Sequence, residues 1–262
     1  MKALIINLKS AKDRYLFQKK QLNLYSIDYE FINAISSKDI SYQNFIEFSQ
    51  DWQRPLLKSE LACFYSHRNI WLHIANSHEP YLIIEDDALL SKEIINILPI
   101  LEKKNGVDLI NFENRGRRKF LSRTKEKLIN NHKMIRLFQD RTGAACYVLW
   151  PSGAKKLLNF QSKNGIALTD ALITSCHDLI CFQVEPALAV QLDYCEFYGL
   201  KNPTNINSSQ SSVSRTKNKK GSLKFWFRRI YFQIKLGYRN MLLMVSCDRR
   251  YVEIIKSDFF GN

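Results

Sequence analysis

An apolar tetrapeptide, Tyr81-Leu82-Ile83-Ile84, runs without interruption into three carboxylates, Glu85-Asp86-Asp87. An apolar run of this kind, set off by Pro80, reads as a strand buried on both faces, and such strands occur in sheets covered by helices. Three adjacent acids at its end repel one another and lose solvent, so a cation or open water must compensate. Alternation along an extended backbone would send Glu85 and Asp87 to one side as an acid-x-acid pair able to hold one hard cation, with Asp86 facing elsewhere. For the tripeptide alone, a solvated acidic loop is the competing reading.

The surrounding chain supplies the context. Ala3 to Leu8 is a short apolar run, Asp13 to Leu24 is helix-like, and Tyr29 to Ile35 is a second strand candidate, together a βαβ spacing. From Ser59, a candidate N-cap with Glu60 in the first turn, a helix is expected with Cys63, Ile70, Trp71 and Ile74 as its apolar stripe. Ser66 and His67 fall on or beside that stripe and would point inward, where a histidine is more often a hydrogen-bonded core residue than a ligand. Further strands are expected at Val107 to Phe112, Ala144 to Leu149 and Ile180 to Val184, with a helix opening at Pro151 and Arg115 to Lys119 as a basic surface loop. The alternation of strands and helices predicts an α/β sheet.

Two isolated acids at expected strand or helix ends, Glu113 and Asp170, are candidate general bases, against the blander readings of helix cap or solvated side chain. No Gly-rich phosphate loop, Ser-His-Asp order or H-E-x-x-H pattern is present, so any nucleophile would come from the substrate. Six scattered cysteines without a C-x-x-C pair read as reduced core thiols. The start Met-Lys-Ala-Leu-Ile-Ile-Asn lacks the features of a signal peptide, and no stretch offers the roughly 20 apolar residues of a membrane span. A cytoplasmic protein is expected.

A formal net charge of +14 calls for an anionic partner. Its placement narrows the choice: a polar linker at Asn207 to Ser212 precedes nine Lys or Arg without an acid between Arg215 and Arg239. Within that run Phe227, Ile230, Tyr231, Ile234, Tyr238, Met241 and Val245 recur at helical spacing, with Lys224, Arg228, Lys235 and Arg239 on another face. This predicts a basic amphipathic helix suited to an anionic membrane surface. A nucleic-acid binder would instead spread basic and aromatic residues over the folded domain, so no nucleic acid is expected. The organisation expected is a domain over 1–203, a linker over 204–222 and a membrane-associating helical tail over 223–262.

Several segments, in order, resemble glycosyltransferase family 25 and, within it, bacterial lipooligosaccharide galactosyltransferases. They are Ile6-Asn7-Leu8 with Asp13-Arg14, Phe31 to Ala34, Glu60 to Phe64 with Ser66-His67 and Trp71, Leu82 to Asp87, Gly143 to Val148 with Gly153-Ala154, Thr169-Asp170, and Pro186-Ala187-Leu188 with Gln191. The resemblance covers residues 1 to about 200. It implies a GT-A-like nucleotide-binding mixed sheet flanked by helices, and inverting, Mn²⁺- or Mg²⁺-dependent transfer of a hexose, first of all galactose from UDP-galactose, to a terminal sugar of a lipid-linked oligosaccharide at the cytoplasmic face of the inner membrane. It places Asn7, Leu8, Arg14 and Ala34 near the nucleotide, Ser66 and His67 near the diphosphate and sugar, and Asp86 on the donor. Glu85 and Asp87 take the position of the metal-binding acids, and Asp170, then Glu113, that of the base. Leu168-Thr169-Asp170 departs from a Pro-Val-Asp common in the family, as does Trp150-Pro151 after the central strand; both bear on the acceptor pocket. The alternatives are a glucosyl- or N-acetylhexosaminyltransferase on the same scaffold, and a nucleic-acid- or membrane-binding module without catalysis.

Overall fold

The computed structural model describes residues 1–139, 143–204 and 223–259. Nearly all of the expected linker, 205–222, therefore lies outside the described residues. The chain opens β1 (Ala3–Asn7), α1 (Lys12–Leu24), β2 (Tyr29–Asn33), α2 (Tyr42–Phe48), α3 (Lys58–Ala75) and β3 (Tyr81–Glu85). It continues β4 (Ala88–Leu90), α4 (Ile94–Glu102), β5 (Leu109–Asn111), β6 (Lys119–Lys127), β7 (Lys133–Gln139) and β8 (Cys146–Leu149). Then come α5 (Pro151–Asn164), α6 (Thr169–Ser175), β9 (Cys181–Glu185), β10 (Ala189–Gln191), α7 (Leu223–Ser246) and β11 (Cys247–Arg250).

Nine strands form one mixed sheet in the order β11-β6-β7-β9-β5-β8-β3-β1-β2, and β4 pairs with β10 in a small second sheet. The expected α/β architecture, a mixed sheet flanked by helices, is what the chain adopts. Period-two alternation explains how it is covered. Leu4, Ile6, Ile83, Tyr147 and Leu149 face α3, α5 and α6, whereas Ala3, Ile5, Leu82, Ile84, Cys146 and Val148 face α1 and α4. Both faces are buried, which is why these strands read as unbroken apolar runs. The six cysteines are all free thiols. No helix among the described residues is long and apolar enough to cross a membrane.

Three local expectations change. Helix α3 begins at Lys58 rather than after Ser59, because the Glu60 carboxylate accepts the Leu57 amide (2.9 Å) and supplies the N-terminal cap that Ser59 was expected to give. Lys119 is no surface-loop residue: it is fully buried at the start of β6, donating to the Glu113 carbonyl (3.0 Å) and to Gln183 Oε1 (2.6 Å). The expected helical tail is helix only to Ser246. Cys247–Arg250 then pair antiparallel with Lys119 to Ser122 of β6 as the outermost strand. Beyond it Val252 accepts from Asn114 Nδ2 (2.6 Å) and Phe259 is buried in a third apolar cluster.

Candidate active site

The strands β3, β1 and β2 lie side by side and parallel, with β1 in the middle. The chain leaves β1 toward β2 on one side and β3 joins on the other, so a crevice opens beyond their C-terminal ends, where ligands bind in open α/β sheets. Ile6 pairs with Glu85 and Asn7 with Asn33, which sets the ends of the three strands level. A cleft of about 580 Å³ lies there, lined by Leu8 and Arg14, by Ala34, by Ser66 and His67, and by all three acids. Asn7 joins it through its bond to Asp86.

Strand β3 ends at Glu85, and Asp86 and Asp87 form the turn into β4. Alternation therefore stops at Glu85, and the expected separation of Asp86 from its neighbours gives way to a turn in which Arg14 sits 2.9 Å from Asp86 and 3.7 Å from Asp87. Asn7 Nδ2 also donates to Asp86 (2.9 Å), so both Asp86 oxygens are held by the protein itself. The turn is braced from α1, where buried Gln18 donates to the carbonyls of Glu85 (3.4 Å), Asp86 (3.2 Å) and Ala88 (2.8 Å). Gln21 adds a bond to Ala88 and accepts the Leu90 amide. Strand β10 closes the other side: Gln191 Nε2 donates to Glu85 Oε2 (3.2 Å) and the Leu192 amide to the Asp87 carbonyl (2.9 Å).

His67 is fully buried on α3, between Tyr147 and Glu85. Its tautomer follows from donor inventory. Trp71 Nε1 can only donate, so Tyr147 Oη accepts that bond (2.9 Å) and turns its own proton to His67 Nδ1 (3.0 Å). Nε2 then carries the ring proton and donates to Glu85 Oε1 (3.0 Å). Ser66 instead braces the backbone, its hydroxyl donating to the Ala62 carbonyl (2.8 Å) and accepting the Ile35 amide (2.9 Å), which fixes the loop after β2 against α3. Replacing Tyr147 by Phe should strand Trp71 Nε1 and His67 Nδ1 in a dry site and cost about 1–3 kcal/mol. Chemical denaturation of Tyr147→Phe reads this directly; an unchanged midpoint would mean that the relay adds nothing.

The electrostatics separate the acids. Burial alone would raise Glu85, but the His67 hydrogen bond and the charges of Arg115 and Arg14 hold it below the usual carboxylate range. Burial raises Asp86 despite Arg14 and Asn7. Asp87 is pushed up to about 8, first by burial and then by the Glu85 charge. Its Oδ1 atom is buried and has no hydrogen-bond partner. Oxygens of Gln191, Asp193 and Glu113 share that condition, and the Asp193 charge is felt at Asp87. A buried carboxylate oxygen without a partner beside a second carboxylate is donor chemistry that a hard divalent cation takes, so Asp87 and Glu85 fit such an ion, and Cys63, His67 and Glu85 also bring ligand atoms within 4.8 Å of one another.

The two candidate bases flank the cleft and do not line it. Glu113 is fully buried, accepts the Ala145 amide (2.9 Å) and is pushed up to about 7 by burial, with Glu85 adding to the shift. Gly143, at φ +92°, leaves room for this carboxyl where any Cβ would collide with it. Asp170, in the first turn of α6, is only partly buried, and burial raises it against the Ala171 amide and Arg117. Reasoning from the sequence missed Gln18, Gln21, Tyr147 as a relay, Arg115 and Asp193. Tyr147 lies within the Gly143 to Val148 segment and Arg115 opens the basic run, but neither signals its role, and only buried polar positions in α1 could have hinted at the glutamines.

Motif order, sheet and acid-lined cleft together describe an enzyme of sugar transfer, and the comparisons agree: the chain is a glycosyltransferase. The family model described as Glycosyltransferase family 25 (LPS biosynthesis protein) matches residues 1–173, and the chain belongs to that family. It is 28% identical over 205 residues to the lipooligosaccharide biosynthesis protein lic2B of Haemophilus influenzae, covering 71% of this chain and 74% of that one. It is 26% identical over 241 residues to procollagen galactosyltransferase 1-B of Xenopus laevis, covering 80% of this chain but 39% of the relative. Among solved structures, a Drosophila galactosyltransferase 7 in complex with manganese, UDP-Gal and xylobiose aligns with TM-score 0.36 and 8% identity, over 84% of this chain and 82% of that one.

Proposed function

We propose that the chain is an inverting, divalent-metal-dependent hexosyltransferase. It moves galactose from UDP-galactose to a terminal sugar of a lipid-linked oligosaccharide, through a GT-A-like nucleotide-binding domain working at the cytoplasmic face of the bacterial inner membrane. The observation that carries this reading is the buried, partnerless Asp87 Oδ1 beside Glu85 and Asp86 at the mouth of the β1–β3 crevice. The names of the relatives, one in lipooligosaccharide biosynthesis and one a galactosyltransferase, support the acceptor class and the sugar.

A divalent cation held by Glu85 and Asp87 would neutralise charge developing on the departing nucleoside diphosphate. The protein's own residues do the rest. Arg14 and Asn7 hold Asp86, and Gln18 holds the backbone of the turn, so the acids are fixed before the donor arrives. His67, oriented by Tyr147, keeps Glu85 ionised and in place. Asn7, Leu8, Arg14 and Ala34 form the nucleotide side of the cleft, with Ser66 and His67 toward the diphosphate and sugar. Asp170 takes the proton from the attacking hydroxyl; it is the partly accessible acid, whereas Glu113 is sealed and serves as second choice.

The test is a panel of UDP-sugars with truncated lipooligosaccharide, with and without Mn²⁺ or Mg²⁺, read by mass. A one-hexose gain from UDP-galactose alone, dependent on the ion, is expected; no product from any UDP-sugar would overturn the proposal. Asp170→Asn should lower kcat by about 10²–10⁴-fold with little change in the donor KM. Full activity in that variant moves the role to Glu113.

A further inference from the structure

Helix α7 is mounted on the protein by its cationic side. Arg228 Nη1 donates to the carbonyls of Gln50 (2.6 Å) and Asp51 (3.3 Å), Phe232 packs on Trp52 with ring centroids 5.4 Å apart, and Arg239 donates to Gln139 Oε1 (2.9 Å) and the Phe138 carbonyl (3.3 Å). The guanidinium groups expected to meet an anionic surface are therefore largely engaged with the protein itself. The exposed surface of the helix is mostly apolar. Phe227, Tyr231, Ile234, Tyr238, Met241 and Val245, spaced four and three residues apart, are between 59% and 79% exposed. Trp226, Leu242 and Met244 broaden the stripe and are also exposed.

We infer that this outward face of α7 lies in the plane of an anionic lipid bilayer and inserts its apolar side chains among the acyl chains. The inference deepens the membrane placement proposed above and rests on it, but changes the contact from surface charge to insertion. Three observations select this occupant. The apolar arc is wider than a coiled-coil seam, which uses only the alternating four-three positions. Lys235, next to Ile234, is exposed at the border of this face, and the helix contains no acid. Self-pairing through this face would bring one Lys235 toward the other without a compensating carboxylate, whereas a lipid phosphate would satisfy it while its alkyl stem rests on the apolar zone. Tyr231, Tyr238 and Trp226 add rings with a polar end, suited to the headgroup boundary. The helix is not apolar enough to span, so it lies flat.

The full chain should co-sediment with vesicles of phosphatidylcholine mixed with phosphatidylglycerol and remain mostly bound at about 0.5 M salt, where charge attraction alone is screened. The double variant Ile234→Glu/Met241→Glu alters only exposed side chains; its melting temperature should match the wild type while vesicle affinity falls at least about tenfold. Ile234→Leu/Met241→Leu should retain binding. Equal binding by the Glu variant would overturn the inference. So would a wild-type dimer that this variant converts to a monomer, which would make the face a contact between copies. Binding that salt abolishes would leave the membrane placement standing and remove insertion; no binding to any vesicle would remove both. None of these readouts depends on sugar transfer.

Discussion

Asp87→Asn should reduce hexose transfer by about 10³-fold or more while leaving the fold as stable as the wild type or slightly more so. The first part follows from removing one of two carboxylates that fit the cation: several kcal/mol of charge stabilisation are lost from the transition state, and each 1.36 kcal/mol is about tenfold in rate. The second part follows from the free protein. There Asp87 is held up at about 8 by burial and by Glu85, and its Oδ1 has no partner, so at neutral pH it must take up on folding a proton that the unfolded chain does not hold, which costs stability when no cation is present. A structural acid would show the reverse pattern, with lost stability and residual activity. The same shift sets a pH dependence. Below about 8 a cation must displace the Asp87 proton, so apparent Mn²⁺ affinity should rise with pH up to that value and level off above it. Calorimetric titration of Mn²⁺ at several pH values checks this, and a flat profile would remove Asp87 from the ligand set.

Gly153→Ala should cost about 3 kcal/mol, at the upper end of what an added core methyl costs. Gly153 is the third residue of α5, and a Cβ there would drive into the Asp108 carbonyl oxygen and come within 2.9 Å of Leu149 Cδ1. The helix cannot simply retreat, because Asp108 ties its start down. The Asp108 carboxylate takes Ser152 Oγ and Lys156 Nζ, each at 2.6 Å, as well as the Ile180 amide at 2.7 Å. Thermal unfolding should show a drop of several degrees, about 2–4 °C per kcal/mol for a chain near this size. A melting temperature within a degree of wild type would mean that α5 slides freely on β5.

The parts of this fold legible in the sequence are those with two buried faces. Ala3 to Ile6, Leu82 to Ile84 and Cys146 to Leu149 are apolar throughout because helices cover both sides, and the pattern alone marks them as strands. The hairpin β6–β7 and the strand β11 carry no such mark. Lys119–Lys127 reads KFLSRTKEK, and only its first three residues are buried, so its outer half has the composition of a loop and is a strand because β7 and β11 pair with it. The acid run is legible, yet its geometry is not: the turn at Asp86-Asp87 depends on Gln18, nearly seventy positions earlier, bonding three carbonyls in and beside it. For α7 the two faces are visible in the spacing, but which face docks is decided by carbonyls of Gln50, Asp51 and Phe138 meeting two arginines.

The return of the chain into the sheet after α7 bears on how that helix is held. β11 sits at the sheet edge, Arg250 chelates Glu185 of β9, and Asn114, one step beyond Glu113, is bonded to Val252. Helix α7 is therefore no detachable appendage, because the stretch that follows it pairs into the sheet edge far from the β1–β3 crevice.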